Sequence, residues 1–168
     1  MNEYTESNQD IMVRKIELKD NQLIASIIRS CLEEFGANKP GTVYYDKTTD
    51  HLFELFSTEK SVYFIAELNG QVVGGGGIFP SDGLTEDTCE LVKMYLKPEV
   101  RKMGLGAKII SNCIEFAGEN GYKRIYLESM PELKRAISVY EKFGFSYLSN
   151  PMGNTGHHGC SVWMCLEL

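Results

Sequence analysis

One short run joins two cations to two glycines: Leu96-Lys97-Pro98-Glu99-Val100-Arg101-Lys102-Met103-Gly104-Leu105-Gly106-Ala107. It reads as a strand end, a glycine-containing turn and a helix start. A helix N-terminus offers unpaired backbone N–H groups and about half a positive charge, so an anion seated there is stabilised without any side chain. Gly104 and Gly106 lack the Cβ atoms that would hold a phosphate away from those amides. Arg101 and Lys102 add formal charge beside them. Alone, R-x-x-G-x-G is a weak pattern, because two glycines at a helix start are more often only a turn. The run lacks the G-K-[ST] of a P-loop, and it lacks the G-x-G-x-x-G and acidic ribose partner of a dinucleotide oxidoreductase.

Several titratable groups stand where the pattern makes them conspicuous. Glu90 alternates with Val92, Met94 and Leu96, which puts a carboxylate on an otherwise apolar strand face. Partial burial would raise its pKa and let it take a proton from an amine through water; the competing reading is a strand-end glutamate that is exposed or ion-paired. Glu128 also ends a strand, and it either binds a substrate ammonium or faces solvent. Tyr140 shares a helical face with Leu133, Ala136 and Ile137, so on pattern alone a packed core tyrosine is the simpler reading. Tyr44 lies in a loop over residues 38–47 with Pro40, Gly41 and Tyr45, the kind of segment that often holds ligands. His157, His158 and Cys160 follow Gly153-Asn154-Thr155-Gly156; a histidine there is a substrate-loop residue or an alternative base. No second cluster with zinc spacing accompanies them, so no metal is expected.

The elements that must position these groups follow from periodicity. Residues 1–11 read as a flexible leader and 12–168 as one domain, opening with a strand over 12–18. Asp20 is placed to cap a helix carrying Leu23, Ile24, Ile27, Ile28, Cys31, Leu32 and Phe35, which Gly36 ends. A short helix is expected over 50–56. Strands over 61–68 and 71–79 are joined by Asn69-Gly70, a strong hairpin signal. Gly74-Gly75-Gly76-Gly77 interrupts the second of them, either as a bulged, weak strand or as a place where another backbone or a ligand comes close. The second half reads strand 88–96, helix 104–119, strand 123–128, helix 132–143, strand 145–148 and strand 161–168, a βαβ unit with one more αβ attached.

The chain has 168 residues, 43% hydrophobic and 24% charged, which fits one globular domain. A formal charge of -6 argues against nucleic acid as a partner and is compatible with a cationic amine. No stretch approaches the ~18 apolar residues of a membrane span, and residues 1–10 lack the order of a secretory signal, so a cytoplasmic protein without membrane association is expected. Five cysteines without a CxxC pair make a disulfide framework improbable.

Taken in order, the strand Glu90-Leu91-Val92-Lys93-Met94-Tyr95-Leu96, Pro98, the R-x-x-G-x-G run and Ala136-Ile137-Ser138-Val139-Tyr140-Glu141-Lys142-Phe143-Gly144-Phe145 resemble the GNAT superfamily of acyl-CoA-dependent N-acetyltransferases. The resemblance covers residues 88–148. It implies an α/β (α+β) fold: a mixed, mostly antiparallel central sheet of about seven strands, splayed at the cofactor site and flanked by about four helices. It implies acetyl-CoA as acyl donor, with the backbones of Met94, Tyr95 and Leu96 along the pantetheine and Lys102, Met103, Gly104, Leu105, Gly106 and Ala107 around the pyrophosphate, fixed by Arg101. At Leu133 the sequence departs from the family, where an asparagine often contacts the cofactor. Tyr140, four residues before Gly144, takes the family's general-acid position; a phenol near pKa ~10 can protonate a thiolate whose conjugate acid is near ~8.5 only from close by. The expected activity is direct acetyl transfer in a ternary complex to the amine of a small molecule or peptide, with Glu90 as base and Glu128, Tyr44, His157 and His158 near the acceptor. A non-enzymatic acyl-CoA sensor is the second reading, and a monomer or homodimer is expected.

Overall fold

In the computed structural model, which describes residues 9–168, seven strands form one sheet in the order β1-β2-β3-β4-β5-β7-β6. They are β1 (Ile11–Lys15), β2 (Val62–Leu68), β3 (Gln71–Phe79), β4 (Thr88–Leu96), β5 (Arg124–Ser129), β6 (Ser146–Tyr147) and β7 (Val162–Glu167), with helices α1 (Asn21–Glu34), α2 (Leu52–Leu55), α3 (Leu105–Glu119) and α4 (Lys134–Lys142). Every neighbouring pair is antiparallel except β4 and β5. The mixed, mostly antiparallel sheet and the four helices are those implied by the resemblance. Residues 1–8 of the expected leader lie outside the described residues, and its last residue, Ile11, already pairs with Leu68 in β1.

Alternation along β2 divides the interior in two. Val62 and Ala66 join one apolar cluster with Leu105, Ile109, Ile110, Cys113 and Ala117 of α3. Tyr63 and Ile65 point the other way, into a cluster with Ile24, Ile27, Ile28, Cys31 and Leu32 of α1. A period of two in the strand and about 3.6 in each helix brings these faces together. Gly36, at φ 62°, ends α1, with Ala37 N–H closing on the Leu32 carbonyl at 2.8 Å. Asp20 occupies the position before α1 but does not cap it. Its carboxylate is taken by Arg14 at 2.8 and 3.0 Å and by the Glu17 amide at 2.8 Å.

The sheet opens at β4. This strand pairs with β5 only at Thr88, Cys89 and Glu90, opposite Arg124, Ile125 and Tyr126, and from residue 91 onward the two diverge. The divergence follows a bulge: Gly75 faces Tyr95 and Gly77 faces Val92, so Lys93 and Met94 stand opposite Gly76 alone. Lys93 takes φ 51°, and its carbonyl accepts the Tyr63 hydroxyl at 2.8 Å. A bulge increases local twist and re-aims the strand. The Tyr63 ring reaches Lys93 across the glycines of β3; a Cβ on Gly75 would lie 2.5 Å from Tyr63 Cε1, and one on Gly77 2.8 Å from Tyr63 Cδ2. The bulged-strand reading of the four glycines therefore holds, and the group that comes close to them is the side chain of a core tyrosine.

Candidate active site

The gap between β4 and β5 is one continuous cavity of about 400 Å³, running from Lys102, Gly104, Gly106 and Ala107 along residues 91–96 to Glu90, Glu128 and His157. At the glycine end the backbone does what the sequence requires of it. Lys102 at φ 75° and Gly104 at φ 82° turn the chain into α3. The first backbone bond of the helix runs from Lys108 N–H to the Gly104 carbonyl, and the amides of Lys102, Gly104, Leu105, Gly106 and Ala107 have no backbone partner among the described residues. A Cβ on Gly104 would meet nothing within 4 Å, so the left-handed conformation is what calls for glycine there. The side chains of Met103 and Leu105 turn into the core.

Arg101 is placed differently from the expectation. Its guanidinium forms a two-pronged ion pair with Glu34 at 2.7 and 2.8 Å, lies 5.1 Å over the Phe35 ring and donates through Nε to the Leu96 carbonyl at 3.0 Å. It ties α1 to the end of β4, and its charge is matched within the protein. The Leu96 carbonyl, expected to face pantetheine, accepts from both Arg101 and the Cys31 thiol, the latter at 3.3 Å. Met94, Tyr95 and Leu96 all line the cavity, as does Leu133.

The opposite end gathers side chains from five parts of the chain. Glu90 is 3% exposed, and its carboxylate accepts a hydrogen bond from Ser81. Burial pushes its pKa up to about 7, partly offset by the Ser81 bond, while Glu128 adds to the rise. Glu128 accepts from the Tyr126 hydroxyl at 2.8 Å and from Thr155 Oγ1 at 2.9 and 3.0 Å. His157 Nε2 lies 2.7 Å from Asp46, and its Nδ1 is 3.9 Å from Glu128. Burial opposes protonation of His157, but Asp46 outweighs it and the imidazole pKa rises above its ordinary value. Asp46 also pairs with the buried ammonium of Lys93 at 3.3 Å. Despite burial, its own pKa is lowered, chiefly by His157 and then by Lys93. Glu90, Glu128 and His157 each present one polar atom within 4.8 Å of the others, a grouping that sequence spacing did not announce.

Tyr140 is 7% exposed, borders the cavity and packs against Phe145 at 5.8 Å between ring centroids. Burial raises its pKa, so the phenol is held protonated. Its hydroxyl has no hydrogen-bond partner among the described residues. Two residues expected at the acceptor end are elsewhere. Tyr44 donates to Glu33 at 2.5 Å on the surface of α1, while its neighbours Thr42 and Val43 line the cavity. His158 is exposed and packs on the backbone of Gly41. Both are displaced because loops 38–47 and 149–160 dock on each other, with Gly159 N–H to the Gly41 carbonyl at 2.9 Å, so alternate residues face outward. Sequence reasoning missed Asp46, Lys93, Ser81 and Thr155. Of these only Lys93 carried a signal, a lysine in the middle of an apolar strand.

A sheet splayed beside an amide-lined helix start, with a buried carboxyl at the far end of the gap, defines the architecture of an acyl-CoA-dependent transferase. The model of the Acetyltransferase (GNAT) family matches residues 24–145, and the chain belongs to that family. The chain is an N-acetyltransferase. It is 43% identical over 162 residues to the Escherichia coli (strain K12) protein named Uncharacterized N-acetyltransferase YjgM, covering 95% of this chain and 96% of that one. Among solved structures it is similar to an acetyltransferase of GNAT family from Staphylococcus aureus Mu50, with TM-score 0.79 and 17% identity over 94% of this chain and 99% of that one. It is also similar to yncA of Salmonella typhimurium, a putative acetyltransferase solved with its cofactor acetyl-CoA, at TM-score 0.72 and 18% identity over 94% of each chain. At these identities the structures speak for the fold.

Proposed function

We propose that this enzyme moves an acetyl group from acetyl-CoA to the amine of a small molecule or peptide by direct transfer in a ternary complex. The observation that carries the reading is the single cavity joining the free amides of residues 102–107 to buried Glu90 along the unpaired edge of β4. The amides and the positive end of α3 suit a pyrophosphate, and Lys102 adds its charge. When bound, acetyl-CoA supplies an activated thioester whose sulfur leaves as a thiolate. The Salmonella structure with acetyl-CoA supports that donor.

Among the described residues Glu128 receives only hydroxyl donors besides nearby His157, so an acceptor ammonium would complete its partners. Glu90, with a pKa of about 7, takes the proton that the amine must lose before its nitrogen forms the new C–N bond. Tyr140, held protonated by burial, gives its proton to the leaving sulfur as the C–S bond breaks and regains one from the nitrogen that acylation leaves positively charged. The five cysteines are all unpaired, which fits the reducing cytoplasm expected for the chain. No helix among the described residues is long and apolar enough to cross a membrane.

A panel of primary amines, mixed with acetyl-CoA and followed by thiol release against a no-acceptor control, tests the assignment. Selective turnover that disappears in Glu90→Gln supports it. Full turnover in Glu90→Gln removes Glu90 as base.

A further inference from the structure

We propose that Ser81 is a positioning residue for Glu90 and passes its proton to a second, separate cavity, so that the acceptor and the released proton use different faces of the sheet. The inference rests on the reading of Glu90 as base. Ser81 follows β3, where its amide donates to the Phe79 carbonyl at 3.0 Å, and its hydroxyl is the hydrogen-bond partner of Glu90 among the described residues. Ser81 does not border the cavity between β4 and β5. It lines another of about 390 Å³, together with Lys60, Thr85, Glu86 and Thr88. Glu90 and Ser81 thus form a two-residue bridge between the cavities, one end facing the reactants and the other a polar opening.

The need for such a bridge follows from burial. Glu90 is 3% exposed, and reactants seated in its own cavity would stand between its carboxyl and the solvent on that side. A second exit lets the base shed its proton before the products have left the first cavity. At rest the Ser81 hydroxyl donates to the Glu90 carboxylate. After Glu90 has taken the amine proton, the carboxyl O–H gives a proton to Ser81 Oγ while the hydroxyl proton of Ser81 passes to water in the second cavity. The carboxylate is restored, and Ser81 ends with one proton, as it began. The charged groups acting on Glu90 are Glu128 from β5, His157 from loop 149–160 and Lys93 from β4, and none of them lines the second cavity.

The test uses the full chain with Ser81→Ala, Ser81→Cys and Ser81→Thr. The Glu90 carboxyl is titrated by carbon NMR, and the pH profile of kcat/KM is measured with the most active amine of the panel. Loss of one hydrogen bond to the ionised form should move both the Glu90 titration and the acid limb upward by about one pH unit in the Ala and Cys variants. Plateau kcat should fall severalfold in both and return in Ser81→Thr. An unmoved Glu90 titration, or an unaltered plateau kcat in Ser81→Ala, overturns the proposal. If Glu90→Gln abolishes activity while the Ser81 variants behave as wild type, only the Ser81 inference fails. If Glu90→Gln is fully active, the base assignment itself fails.

Discussion

The two ends of the cavity are built on different plans. The glycine end is local in sequence: residues 101–107 supply the turn, the free amides and the helix start in one stretch, and backbone atoms do most of the work. The far end presents Glu90, Glu128 and His157, which Ser81 and Asp46 hold from outside the cavity lining; five separate segments supply these side chains, and each depends on another for its place. A backbone site tolerates change in its side chains and fails when the backbone conformation is lost. A side-chain site fails at single substitutions, and its chemistry follows pH.

The sharpest contrast should come from Glu90. Glu90→Gln should lower kcat/KM by about a thousandfold, within the range of general base catalysis, while leaving acetyl-CoA affinity by calorimetry unchanged. Because burial raises the carboxyl pKa, the ionised form is disfavoured by folding above pH 7, so the same variant should melt no lower than wild type at pH 8. A large loss of acetyl-CoA affinity would erase the distinction between the two ends. Tyr140→Phe should reduce kcat by roughly a hundredfold with little change in the KM for acetyl-CoA, as expected for a group used at the leaving sulfur.

At the other end, Gly104→Val forces a β-branched residue to φ 82° and should weaken acetyl-CoA binding by about tenfold or more, with an unchanged circular dichroism spectrum. Arg101→Ala should do less to affinity than Gly104→Val. Its pair with half-exposed Glu34 contributes about 1 kcal/mol or less, so a small drop in melting temperature is the expected readout. A loss of affinity larger than that of Gly104→Val would return Arg101 to the pyrophosphate.

The smallest effect belongs to the Asp46–His157 contact. A raised imidazole pKa means its stabilisation is complete below the unfolded value of 6.5 and is lost as pH rises through the higher folded value. The lowered Asp46 pKa works in the opposite sense, its stabilisation disappearing as pH falls toward the acidic range. Asp46→Asn should therefore lower the His157 pKa, measured by proton NMR, because burial then opposes protonation without the Asp46 charge. An unchanged titration would show that the loop is held by other contacts.

Much of the frame was legible without coordinates, because it rests on short-range rules. Asn69-Gly70 turns β2 into β3, Gly36 and Gly121 stop their helices at positive φ, and the apolar stripe of α3 is the one that is buried. The R-x-x-G-x-G run specified its own backbone for the same reason, since the conformations of neighbouring residues are set by their own sterics. The destination of a charged side chain is not set in that way. The neighbours of Arg101 suggest a phosphate ligand, while its guanidinium pairs with Glu34, sixty-seven residues away in the chain. Asp20 stands at a cap position and belongs to Arg14. Tyr44 and His158 were one position from Val43 and His157, which line the cavity, because loop docking decides which alternate residue faces inward.

Sequence alone determined where the chain turns, which faces are apolar and where bare amides await an anion, since each is settled within a few residues. Only the tertiary structure decided how far β4 separates from β5 and which carboxylates share the resulting gap. Those outcomes depend on Tyr63 crossing the glycines to reach Lys93 and on ion pairs between distant segments, and such contacts exist only once the sheet has assembled.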